Sequence, residues 1–530
     1  MPYNFERQWQ LARGHESKGD LVAAKDAYQA ILRLEPDRLF VRLHLSNLEQ
    51  ATGHYRASRE HALKAAETVR QGGRLTDLAA VTRRLLAFDE RELVHALIIE
   101  ANWNDPGILR DSAMLSQHLW LTDNFQDALR LIDVASLRAP SSHVLSYSRA
   151  HALRCSGRLE DATAEYERCL QLSPNYADAH WSLAYHQKAT SPGIRIDRIT
   201  RAQQSYAEHA PEQAYLSYAL FKEYDDAGET RLAWSHLQAG AGIKRASIRY
   251  DSSREEQGFV ALEQMTTRDF ARSGVRDHSS DGVPIFIVGL PRTGTTVLER
   301  ILGGHSQITA GGELNDFSSA LCREADAFAE SAITTASVDR MHALDYSRIG
   351  RTYLERTLRK ADGNSYLVDK NPANFVHAAY ICKALPRARI ICLDRAPMDA
   401  CLSNLKELFS GDAYGYSYDL DELADHYLRF HRLARHWQQV LPSDQFLVVD
   451  YETLVSDPSA LAEQVMAFCG VPFEPACIDI TSNHSPVSTA SSSQVRTPIN
   501  AKGVGAWRRY ASQLQPLQDR IEATLTTLNS

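Results

Sequence analysis

Apolar residues recur every three to four positions through the first half of the chain, then give way to short unbroken runs. "GDLVAAKDAYQAILRLEPD" (19–37) and "GRLEDATAEYERCLQLSPN" (157–175) carry one pattern twice: a small or turn residue, an amphipathic stretch, then proline. That periodicity predicts helices that end where proline stops them. From Pro284 the pattern changes. "IFIVG" (285–289), "SYLVDK" (365–370), "ARIICLDR" (388–395) and "QFLVVDY" (445–451) predict four buried strands. Between and after them, "TTVLERILGGH", "PANFVHAAYICKAL", "PMDACLSNLKELF", "LADHYLRFHRLARHWQQVL" and "ALAEQVMAFCG" predict helices, the first with Val297, Leu298, Ile301 and Leu302 on its apolar face. Strands alternating with helices imply a parallel sheet covered on both faces.

The helical half repeats itself. Counting back from Pro36, Pro140 and Pro174, position −12 holds Ala24, Ala128 and Ala162, and position −8 holds Tyr28, Ile132 and Tyr166. Position −17 holds Gly19, Asp123 and Gly157. The alanine lets two helices approach closely, and the larger residue fills the groove against the next unit. This resembles the tetratricopeptide repeat, a helix–turn–helix of about 34 residues that stacks into a solenoid. Weaker units lie at 39–70, 176–207 and 216–245, with irregular helix from Leu75 to Trp103. The expected organisation is therefore a multidomain α and α/β chain. An α-solenoid spans 1–245, a polar linker or connecting helix 246–282, and a P-loop-like parallel-sheet α/β domain 283–530. The solenoid either presents a surface to a peptide or partner protein, or braces the second domain or a homodimer.

Composition narrows the class. At 530 residues, 44% hydrophobic and 23% charged, the chain reads as a globular protein of at least two domains. A net charge of −8 argues against nucleic acid as a partner. No apolar run reaches the roughly 18 residues of a membrane span, and the first residues lack the apolar core of a secretory signal. The eight cysteines form no C-x-x-C pair, which fits buried free thiols and a cytoplasmic location. No metal site is expected.

The chemistry gathers where strands end. Gly289-Leu-Pro-Arg-Thr-Gly294-Thr-Thr has the spacing of a nucleotide phosphate loop, with Thr295 where the lysine belongs. A strand, a glycine-containing turn and a helix start make an anion site. The backbone N–H groups of Thr293, Gly294, Thr295 and Thr296 and the helix dipole favour negative charge, and Arg292 supplies a fork of donors. Without the lysine that reaches the outer phosphates, the loop suits a nucleotide with a single 5′-phosphate, which disfavours a triphosphate-using kinase. Lys370, Arg395 and Tyr451 each follow another strand, as ligand residues do in such sheets.

Three motifs in order, spanning about 284–510, resemble those of sulfotransferases. The similar proteins are the tyrosylprotein sulfotransferases and bacterial proteins that join tetratricopeptide repeats to that domain. "PRTGTT" resembles the 5′-phosphosulfate loop; "LDRAPMDACLS" resembles the 3′-phosphate motif, which assigns the grip to Arg395 and Ser403; "KGVGAWRRY" resembles the segment that closes over the nucleotide, with Lys502, Gly503 and Trp507. The resemblance implies 3′-phosphoadenosine 5′-phosphosulfate (PAPS) as donor and adenosine 3′,5′-bisphosphate as product, with no metal. It further implies in-line attack by an acceptor hydroxyl on a peptide tyrosine, a phenol, an alcohol or a saccharide. Glu313 is then the base, Lys370 and Arg292 stabilise charge at the transferring group, Ser491 or Ser492 meets the bridging oxygen, and Tyr451 lies near the adenine. Gly312 and Asn315 depart from the tyrosylprotein pattern, in which a glutamate and an arginine stand there. His305 and His377 are rival bases. A repeat scaffold carrying a nucleotide-binding domain is the competing reading.

Overall fold

The computed structural model describes residues 5–72, 75–274, 282–330, 332–361, 363–483, 485 and 494–529. The chain divides into two compact units: Met1–Leu153 with Ser318–Ala329, and Arg154–Phe317 with Glu330–Ser530.

The first unit stacks helices in chain order, beginning with Phe5–Ser17, Leu21–Leu34, Leu39–Ala51 and Tyr55–Arg70. Ala12, Ala24, Tyr28, Ile31, Val41, Leu45 and Leu48 close its first core. The repeat positions do what their chemistry predicts. Ala24, Ala128 and Ala162 have no exposed surface, and neither do Tyr28, Ile132 and Tyr166. Gly19, Asp123 and Gly157 all take left-handed backbone, with φ of 77°, 64° and 80°. Aspartate tolerates that turn better than most side chains, and Asp123 also pairs with Arg91 at 2.8 Å. A segment from late in the chain joins this unit: the ring of Phe328 lies 5.0 Å from that of Tyr55, and Asp326 accepts the Arg56 backbone N–H at 2.7 Å. No periodicity in the sequence announces that insertion.

The second unit holds the later repeat helices, among them Leu159–Leu172, Ala177–His186, Pro211–Ala227 and Thr230–Ser247, together with the sheet. Its five strands are β1 (Val283–Gly289), β2 (Ile308–Ala310), β3 (Tyr366–Asp369), β4 (Arg389–Asp394) and β5 (Phe446–Asp450). They run parallel in the order β2-β3-β1-β4-β5. Four are the strands the apolar runs predict. The edge strand β2 is three residues long, too short to leave a pattern. Four helices matter below: α1 (Thr295–Leu302), α2 (Pro397–Leu405), α3 (Leu420–Val440) and α4 (Tyr451–Ser456). The stretch read as one helix from Pro372 is a 3-10 turn, Pro372–His377, followed by a helix, Ala378–Ala384. Central β1 is buried along its whole length, as a strand covered on both faces must be. Register pairs Phe286 with Asp369 and Gly289 with Leu393, and Asp394 with Asp450. The carboxyl ends of β1, β3, β4 and β5 therefore point the residues that follow them toward one edge.

Among the described residues no helix is long and apolar enough to cross a membrane. All eight cysteines are buried.

The stretch 246–282 carries a helix, Ser252–Met265, tied to α3 by a buried ion pair. Glu255 meets Arg429 at 2.9 Å and His426 at 3.0 Å, and accepts from the Tyr250 hydroxyl at 2.6 Å. Burial alone would raise the Glu255 carboxyl, but His426, Tyr250 and Arg429 outweigh it and bring it down to about 2. A depressed carboxyl stabilises the fold fully above its ordinary range and loses that contribution as pH falls toward the folded value. Thermal unfolding followed from pH 6 down to pH 2 should therefore fall less steeply for Glu255→Gln than for the native chain, while Glu255→Gln is the less stable of the two at pH 7.

Candidate active site

The turn after β1 is built by unusual backbone. Arg292 sits in left-handed space at φ 65°, a conformation uncommon for a long side chain and typical of functional turns. Gly294 caps α1, and a Cβ there would lie 2.6 Å from the Tyr451 ring. Thr293 donates its hydroxyl hydrogen to Leu290 O at 2.7 Å, so that proton is committed inside the turn rather than offered to a ligand. Thr295 and Thr296 open the helix at 5% and 6% exposure, where the first N–H groups of a helix lack intrahelical partners.

Arg395, immediately after β4, ties three parts of the site together. Its Nη1 donates to Arg292 O at 2.9 Å and to Ser403 Oγ on α2 at 3.0 Å, and its Nη2 donates to Gly503 O at 2.7 Å. The guanidinium lies over the Tyr451 ring, 4.4 Å from its centroid. Only 7% of Arg395 is exposed, and burial lowers its pKa from the ordinary arginine value. Its Nε is buried with no hydrogen-bond partner. A buried cationic donor without an acceptor is costly. Asp399, in the first turn of α2, holds the C-terminal segment beside it: its carboxylate accepts the Gly505 N–H at 2.6 Å and the Trp507 N–H at 3.1 Å.

A second group sits at the ends of β2 and β3. Lys370 is completely buried, and its ammonium donates to the Glu313 carboxylate. Glu313 is 47% exposed, so the pair has one member in the interior and one facing out. The Lys370 backbone N–H donates to Gly312 O at 2.9 Å. Arg292 pairs with buried Glu407 at 3.5 Å, whose carboxyl is raised by burial and lowered in part by Arg292.

The structure thus gathers Arg292, Arg395, Ser403, Tyr451 and Gly503 at one point, and Glu313 with Lys370 at another. Lys502 is exposed; its backbone N–H donates to Asn500 Oδ1 at 3.3 Å, and among the described residues its side chain forms no hydrogen bond or ion pair. Asn315 is exposed and accepts from Asn371 at 3.3 Å. Ser491 and Ser492 lie outside the described residues. Both histidines, the rival bases, sit among protein groups. His305 meets Pro472 O at 2.9 Å through Nε2 and accepts the Gln307 N–H at 3.0 Å through Nδ1. His377 is half-buried near Phe317 and Tyr380, and desolvation pushes it down to about 4. Three residues escaped sequence reading: Glu299, Asp399 and Glu407. The apolar face of α1 suggested a helix with one wet side, but Glu299 and Arg300 are buried too, at 7% and 4% exposure. Among the described residues no group of three or more His, Cys, Asp or Glu is placed to hold a metal.

The sulfotransferase family profile matches residues 284–475, which span β1 to β5 and the arginine, lysine and serine positions above. Residues 284–475 are a sulfotransferase-family domain. A TPR-repeat profile matches residues 150–188. The chain is 28% identical over 411 residues to an uncharacterised protein of Aquifex aeolicus, covering 75% of this chain and 52% of that one. It is 24% identical over 251 residues to protein-tyrosine sulfotransferase 1 of Danio rerio, covering 43% of this chain and 67% of that one. The chain thus spans about half the length of the first relative and two thirds of the second. The sulfotransferase domain of the Synechococcus PCC 7002 olefin synthase aligns with 44% of this chain and 90% of its own, at 21% identity and a TM-score of 0.33.

The Asp399 latch can be tested directly. Asp399→Ala leaves the N–H groups of Gly505 and Trp507 without their acceptor, at a cost of about 1–3 kcal/mol. Limited proteolysis should then cut the chain near 500–507 faster than in the native protein, with the far-ultraviolet circular dichroism unchanged.

Proposed function

We propose that the sulfotransferase domain transfers the sulfuryl group of PAPS to an acceptor hydroxyl, with Glu313 as base and adenosine 3′,5′-bisphosphate as the product released. The observation that carries this reading is Arg395: a buried guanidinium with a partnerless Nε, bonded to Ser403 on one side and to the phosphate-loop carbonyl on the other. That donor set suits a single phosphate held apart from the Arg292 turn, as the 3′-phosphate of such a nucleotide would be. Tyr451, stacked on Arg395 and packed over Gly294, supplies an aromatic surface for adenine.

PAPS supplies an activated sulfuryl group bearing less charge than a phosphoryl group. The chain's own residues do the rest. The turn at Arg292–Thr296 holds the 5′ end through backbone N–H groups and the helix dipole. Lys370, fixed in the interior, presents a cation that stabilises charge growing on the leaving oxygen. Glu313, half exposed beside it, takes the acceptor proton. Ser492 remains the candidate partner for the bridging oxygen, and Lys502 and Gly503 belong to the segment that covers the nucleotide. The first acceptor to test is a peptide tyrosine, on the similarity to the Danio rerio protein-tyrosine sulfotransferase, followed by phenols, alcohols and saccharides. The repeat helices are the surface proposed to receive a peptide or partner protein, and the buried thiols support a reducing, cytoplasmic setting.

Thermal shifts with adenosine 3′,5′-bisphosphate, AMP and ATP test the donor site. The bisphosphate should stabilise the protein most, by about 2.7 kcal/mol at a hundredfold excess over Kd. Ser403→Ala should erode, and Arg395→Ala abolish, the preference over AMP. Equal shifts with AMP in the native chain would refute the 3′-phosphate grip. Glu313→Gln should keep the bisphosphate shift and lower sulfuryl transfer from radiolabelled donor by at least about a hundredfold; undiminished transfer would remove Glu313 as base.

A further inference from the structure

Glu299 lies on α1, one turn beyond the phosphate-loop threonines, at 7% exposure. Its Oε1 accepts the Gly312 N–H at 3.0 Å, and the carbonyl of the same Gly312 accepts the Lys370 N–H at 2.9 Å. The peptide that leads into Glu313 is thus gripped from both sides, by the phosphate-loop helix and by the end of β3. Gly312 takes left-handed backbone at φ 75°, so the grip sets a bend rather than an extended strand. The charges acting on the Glu299 carboxylate are Lys370, Glu313 and Arg300. Glu313 meets the buried Lys370 ammonium directly, and Glu299 is joined to Lys370 through the Gly312 backbone.

We propose that Glu299 is a positioning residue that couples the phosphate loop to the Glu313–Lys370 pair, holding the Gly312 bend through its oxygen and keeping Lys370 cationic through its charge. This rests on the role assigned above to that pair. When Glu313 accepts a proton, Lys370 loses its exposed counterion at the moment its charge is needed. Burial raises the Glu299 carboxyl above its ordinary value, and Lys370 opposes that rise in part. Removing both partners' charge from a buried ammonium is far more costly than removing one.

Two variants separate the two functions. Glu299→Gln keeps an oxygen acceptor for Gly312 and deletes the charge; Glu299→Ala deletes both. In ligand-free protein, hydrogen exchange of the peptide covering 308–316 should quicken by about tenfold or more in Glu299→Ala and stay near native in Glu299→Gln. Unchanged exchange in Glu299→Ala overturns the grip, whether or not the chain proves to transfer sulfuryl groups. In turnover, Glu299→Gln should lower kcat about tenfold with the bisphosphate thermal shift unchanged, and both limbs of the kcat/KM profile should move to lower pH, because a lost anion disfavours the protonated forms of its neighbours. A profile with both limbs unmoved overturns the charge role. Absence of transfer by the native chain would instead count against the reading under Proposed function and leave the exchange result standing.

Discussion

The site depends on one cation held out of water. Arg395 is withdrawn from solvent, yet a guanidinium cannot give up its proton at any ordinary pH. The fold must therefore surround it with oxygen, and it does so with a carbonyl from the phosphate turn, a hydroxyl from α2 and a carbonyl from the C-terminal segment. Three pieces of chain that are distant in sequence are brought to one point because each satisfies part of the same charge. The tyrosine ring beneath completes the shell with its negative face. What the shell omits, an acceptor for Nε, is as informative as what it contains.

The second centre obeys the opposite logic. There the buried cation is a lysine, whose charge survives burial only with an anion near it. The chain provides Glu313, which the ammonium reaches, and sets Glu299 on the Gly312 amide just before it. Parallel strands make this possible: β1 and β3 are neighbours in register, so α1, which follows β1, and Lys370, which follows β3, emerge side by side. The repeat helices of the same unit reach the other flank. The hydroxyls of Tyr185 and Tyr218 donate to the carbonyls of Lys406 and Leu405, at the end of the helix that carries Ser403.

Much of this was legible in the residues. The repeat period fell out of alanine, tyrosine and proline spacing because those positions perform one mechanical task in each unit. The four long strands declared themselves as unbroken apolar runs, and the residues just beyond them proved to be the ones gathered at the sheet edge. The resemblance named Arg395 and Ser403 together, and they are in contact; Glu313 and Lys370, named for separate tasks, also meet. Other features left no local signal. β2 is too short to have a pattern. The segment 318–329 joins a different unit from its chain neighbours, a fact of tertiary packing alone. Glu299 and Asp399 look like ordinary helix-surface acids, and only the backbone N–H groups they receive show otherwise. The Thr293 hydroxyl closes the turn, a role no local pattern announces.

The C-terminal segment is fastened at both ends of a short interval: the Gly503 carbonyl to Arg395, and the Gly505 and Trp507 amides to Asp399. Arg395 and Asp399 themselves stand a fixed four residues apart around the start of α2. The interval is thereby measured against a rigid ruler. Side chains between the fastenings are free to vary, but adding or deleting a single residue there would pull one fastening off its partner, so relatives with the same clasp should differ by replacement and never by length.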